Sequence, residues 1–128
     1  MFALLDRLPQ PLWMGLSWLG VAVVLLLSLL PVTVPEQLKF CNADKLVHMT
    51  MYASLMLSFS RAYARRQWLA VAIALGSFGL GIEYLQSLTP DRSASLLDEI
   101  ANLAGISIML LVLRCAPVAA APSARGQP

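Results

Sequence analysis

The sequence predicts an all-α membrane protein: a small bundle of four transmembrane helices followed by a disordered tail. Three observations predict it. First, 59% of the 128 residues are hydrophobic and only 12% are charged, about half the ~25% charge of a soluble domain. Second, the mean hydropathy is +0.72. Third, the apolar residues fall into four runs, each bounded by charge or proline. A membrane-crossing helix takes ~20 residues, so a chain of this length holds four spans with short loops and no separate soluble domain. The 9 Lys and Arg against 7 Asp and Glu give a net charge of +2. That is too little for a stripe tracking nucleic-acid phosphates, so no nucleic-acid partner is expected.

The first span is expected over residues 12–30, between Pro9 and Pro11 on one side and Pro31 and Pro35 on the other. It is the one span without charge, and Trp13 and Trp18 sit near its start, where amphipathic rings anchor at an interface. Its length, and the lack of a small-residue cleavage site at Val32-Thr33-Val34, argue for a retained span rather than a cleaved signal peptide. The second span covers 44–60 and ends at Arg61, Arg65 and Arg66. The third covers 68–88 and stops at Thr89-Pro90; the fourth covers 96–113 with Arg114 at its end. These spans make residues 1–114 one domain. Residues 115–128, mostly Ala, Pro, Ser, Gly and Gln, form the disordered tail.

Basic residues set the orientation. Arg7, Arg61, Arg65, Arg66, Arg114 and Arg125 fall on the side shared by both termini, against Lys39, Lys45 and Arg92 on the other. The bias of cytoplasmic loops toward Lys and Arg therefore puts both termini in the cytoplasm. Cys41 and Cys115 then lie on opposite sides and cannot form an intramolecular disulfide.

Ionisable groups inside spans are costly and point to function. Asp44, His48 and Tyr52 recur every four residues and share one helical face, with Lys45 beside them. Glu83 and Gln86 share a face near the end of the third span. Asp98, Asn102 and Gly105 share one at the start of the fourth, and Thr89-Pro90-Asp91-Arg92 turns between them. The topology brings all of these to one depth beneath the outer headgroups. Glu83 sits at the C-terminal end of its own helix, where the dipole opposes a negative charge. It is therefore expected to be protonated, paired with Arg92 or Lys45, or bound to a cation. Asp98 follows Ser95 at capping-box spacing, and Asp44 stands at a cap position. Ser77 with Gly81, and Ala101 with Gly105, have the small-x-x-x-small spacing of close helix contacts.

These motifs, taken in order, resemble the VanZ-like membrane proteins. They are Asp44-Lys45 with His48, Glu83 with Gln86, Pro90 with Arg92, and Asp98 with Asn102 and Gly105. The resemblance covers roughly residues 10–114. It implies a bacterial integral membrane protein of the cell envelope, in a family whose namesake is associated with resistance to the glycopeptide teicoplanin. It does not specify a reaction.

The leading expectation is a pocket that binds or processes a lipid-linked or phosphate-bearing envelope component, with membrane lipids or a lipid-linked envelope precursor as partner. His48, Glu83 and Asp98 are its candidate catalytic residues. Asp44, Lys45, Tyr52, Gln86, Arg92 and Asn102 are its candidate substrate contacts. A metal reading must build its ligand set from His48, Glu83 and Asp98. A single histidine and the absence of an H-E-x-x-H motif argue against it, so no metal or cofactor is expected. The non-enzymatic alternative is a structural ion-pair network in an interaction partner or a small proton-coupled carrier. Four short helices would then imply a homo-oligomer.

Overall fold

The computed structural model describes residues 8–30, 43–88 and 95–115. Among these there are four α-helices and no strand: α1 (Gln10–Leu29), α2 (Ala43–Ala62), α3 (Trp68–Ser87) and α4 (Leu96–Cys115). A 3-10 turn, Arg65–Gln67, leads into α3. The helices match the expected spans to within two residues at each end. The tail beyond Cys115, the turn carrying Pro90 and Arg92, and Cys41 lie outside the described residues.

Local chemistry explains the helix ends. Proline in the first turn of α1 gives up an N–H that has no intrahelical acceptor there. Leu30, the residue before Pro31, is already extended at φ −68 and ψ 139, as crowding by a following proline ring favours. At the other end of the bundle, the Trp68 indole N–H donates to the Ser60 and Tyr63 carbonyls, both at 3.2 Å. Carbonyls left over at the end of α2 thus find a donor. Arg65 lies over the Trp68 ring at 5.8 Å and donates to the Arg114 carbonyl at 2.9 Å. A cation at the C-terminus of α4 also complements that helix's dipole.

Cross-helix bonds fix the topology. Gln10 Nε2 donates to the Ala62 carbonyl at 2.8 Å, so α1 and α2 run antiparallel. Lys45 meets Asp98 near the starts of α2 and α4, and Arg65 meets Arg114 near their ends, so these two helices run parallel side by side. The starts of α2 and α4 and the ends of α1 and α3 therefore share one end of the bundle.

The molecule is apolar outside and partly polar inside. Leu19, Leu26, Ile73, Leu80 and Leu111 are exposed, while Ser17, Ser28, Glu83, Gln86, Glu99 and Asn102 are buried. A chain in water cannot afford that arrangement, whereas lipid tails cover such a surface at little cost. α1, the segment Arg65–Ser87 and α4 are each long and apolar enough to cross a membrane. α2 has the same length but carries Asp44, Lys45, His48 and Arg61 among its apolar residues, and it does not reach that apolarity.

Four glycines set the helix spacing, Gly20 among them, where a Cβ would come within 2.8 Å of Leu55. A Cβ on Gly105 would run into the Met49 backbone, so α2 and α4 touch main chain to main chain there. A Cβ on Gly79 would come within 2.5 Å of Glu99 Oε2, and one on Gly76 within 3.0 Å of Leu103. The expected Ser77–Gly81 pair does not serve this purpose. Both residues face outward, and nothing lies within 4 Å of a Cβ on Gly81. The closely packed face of α3 is Gly76 and Gly79, one step round the helix.

Candidate functional site

The candidate residues of α2 and α4 come together because these helices run parallel and start at the same level. Lys45 Nζ bonds Asp44 at 3.0 Å and Asp98 at 3.3 Å, forming a bridge between the two helix starts. Asp44 is exposed and the Lys45 side chain is about a quarter exposed, so this is the rim of the site. An ammonium has three donors, and the two aspartates take two.

One turn deeper, His48 Nδ1 lies 3.1 Å from Asn102 Oδ1. Asn102 is 2% exposed, and its Nδ2 donates to Glu99 Oε2 at 3.1 Å. This chain assigns roles. With its amide N–H committed to Glu99, Asn102 presents its carbonyl to the ring, so His48 donates through Nδ1–H. In the uncharged imidazole the lone pair then sits on Nε2, as a group acting as a base requires.

Glu99 was not among the expected site residues, and it takes the inner place foreseen for Asp98. Asp98 faces the rim and Lys45, while Glu99 is 3% exposed behind Asn102. The capping box expected from Ser95 and Asp98 does not form. The Asp98 carboxylate goes to Lys45, and the Ser95 N–H donates instead to Glu83 Oε2 at 2.8 Å. Glu83 thus caps a helix, though not its own. Its carboxylate meets the start of α4, where free N–H groups and the positive end of the dipole favour an anion. This partner is absent from the three expected from sequence, because it belongs to a different helix.

Tyr52 reaches the same interior at 1% exposure, with its ring 6.3 Å from that of Phe78. It lies within electrostatic range of Glu83 and Glu99, and Glu99 within range of His48. Gln86 leaves the cluster. Its Nε2 donates to the Ser28 carbonyl at 2.8 Å and ties α3 to α1. Arg92 lies outside the described residues. Among the described residues no three His, Cys, Asp or Glu side chains gather as a metal-ligand set, so His48, Glu83 and Asp98 do not form one.

The site therefore has an exposed charged rim (Asp44, Lys45, Asp98), a hydrogen-bonded histidine one turn below, and a buried acidic interior (Glu83, Glu99, Tyr52). No protein-family model, curated protein or solved structure matches this chain.

Proposed function

We propose that the chain is a four-span protein of the bacterial inner membrane, VanZ-like in its motifs, that binds or processes a lipid-linked, phosphate-bearing envelope component. α2 is its fourth span. Its 20 residues rise about 30 Å, enough to cross the hydrocarbon core. Its polar side chains His48 and Tyr52 turn inward, where α4 and α3 cover them. Both termini are cytoplasmic, which places the rim in the outer leaflet.

The observation that carries this reading is the graded site on α2 and α4, with Lys45 at the surface and an oriented His48 one turn below. Lys45 offers its third donor to a phosphate oxygen. Arg92, in the sequence between α3 and α4, adds the second cation that an anion needs beside Asp44 and Asp98. His48 acts as a base through Nε2, oriented by Asn102 and Glu99. The test is turnover of lipid-linked precursors, and teicoplanin susceptibility, in cells carrying His48→Ala or Lys45→Ala. Loss in both variants supports the reading, and wild-type behaviour in both contradicts it.

A second reading draws on the same bonds. Lys45–Asp98, Glu83–Ser95 and Gln86–Ser28 each join two helices, as a structural network in a non-catalytic envelope partner would. Exchanging the charges of Lys45 and Asp98 separates the two. Restored folding together with restored function favours the network, and restored folding without function favours the site.

A further inference from the structure

Among the described residues, three buried side-chain oxygens lack hydrogen-bond partners: Tyr52 Oη, Glu83 Oε1 and Glu99 Oε1. Their residues are 1%, 7% and 3% exposed and come from three different helices. Gly79 brings the groups together. Its missing side chain lets Glu99 and Asn102 approach α3, Glu83 lies one turn further along the same face, and the neighbouring Phe78 packs against Tyr52. The second oxygen of each carboxylate is already taken, Glu83 Oε2 by the Ser95 N–H and Glu99 Oε2 by Asn102. The unpartnered oxygens are thus the open valences of the site.

The surrounding charges do not fill it. α2 contributes Lys45, His48 and Tyr52; α4 contributes Asp98 and Glu99; α3 contributes Glu83; α1 contributes no titratable side chain. Lys45 is held by Asp44 and Asp98, and His48 faces Asn102. Among the described residues, two carboxylates therefore sit in a low-dielectric interior with no cationic side chain bonded to either. Burying a lone charge is costly, and a second of like sign adds repulsion. One added positive charge relieves both penalties and gives the open oxygens a partner.

We propose that Tyr52, Glu83 and Glu99 form a buried binding site for one small monovalent positive charge, a proton or a sodium ion. Two carboxylates and a phenol provide oxygen donors only, which suit a proton or a hard cation; a sodium ion on these three oxygens would complete its shell with water. The site needs no headgroup ligand, so it stands or falls apart from the function proposed above.

The test uses the full chain in lipid nanodiscs with no added substrate. Dicyclohexylcarbodiimide, an apolar reagent, modifies protonated carboxyl groups within a bilayer, and mass spectrometry locates the adduct. In sodium-free buffer Glu83 or Glu99 is modified at mildly acidic pH. The yield falls about tenfold per pH unit once the proton begins to leave. Suppression by sodium chloride but not by choline chloride, at fixed pH, identifies sodium as the occupant; indifference to sodium identifies the proton. The isosteric double variant Glu83→Gln/Glu99→Gln supplies a second readout free of reagent access. The wild-type melting temperature shifts with pH or sodium, and that of the variant stays flat. Carboxyls that remain unmodified throughout, with wild-type melting as flat as that of the variant, would overturn the site.

Discussion

Asn102 is the residue on which the site turns, since one buried amide serves both Glu99 and His48. Asn102→Ala leaves the Glu99 oxygen unpaired in the interior and frees the imidazole. An orphaned buried polar group costs about 1–3 kcal/mol, so the variant should lose about 2–3 kcal/mol, read as a lower unfolding midpoint in detergent. Glu83 gives a sharper contrast. Glu83→Ala removes the acceptor for Ser95 N–H and should cost about 1–2 kcal/mol, the range of a lost helix cap. Glu83→Gln keeps an acceptor oxygen for the Ser95 N–H and should cost less than Glu83→Ala. Part of this cluster was legible from spacing: His48 on one helix face and Asn102 on another do meet, and Lys45 joins Asp44 to Asp98. Glu99 was not legible, because Asp98 and Glu99 lie only about 100° apart around α4. Both are one turn from Asn102, and the rotation of α4 against α2 and α3 decides which goes inward. That rotation is a property of the assembled bundle.

Among elements, the α2–α4 contact is the tightest, and Gly105 permits it. Gly105→Ala must push the helices apart and pull His48 away from Asn102. Such overpacking costs about 1–3 kcal/mol. Gly81→Ala meets open space and should instead stabilise α3 by up to about 1 kcal/mol, through helix propensity alone. Opposite signs in one thermal-unfolding series would establish which glycines face neighbours. The span boundaries were readable because prolines and arginines punctuate the chain at them. The inward face of α3 was readable only near its end, where Glu83 and Gln86 mark it; nearer its start the helix is apolar all round and has no stripe to orient it. Hence Ser77 and Gly81 carried the close-contact motif while Gly76 and Gly79 make the contacts.

For the whole molecule, the buried polar residues gather toward the end where α2 and α4 begin, and the opposite end closes with Arg65, Trp68 and Arg114. The orientation proposed from the basic residues places Cys115, exposed at the end of α4, in the cytoplasm. In a Cys41→Ser variant, a membrane-impermeant maleimide should label Cys115 in inverted vesicles and leave it unlabelled in intact spheroplasts. The reverse pattern would turn the site to face the cytoplasm.

The rim and the histidine beneath it are proposed to receive a phosphate carried on a lipid. Native mass spectrometry of the protein released from nanodiscs containing a polyprenyl phosphate, with the uncharged polyprenol as control, tests it directly. The account predicts that the phosphate form is retained over the alcohol, and that Lys45→Ala weakens retention about tenfold, the loss of roughly 1.4 kcal/mol. Equal retention of phosphate and alcohol, or wild-type retention by Lys45→Ala, would contradict it.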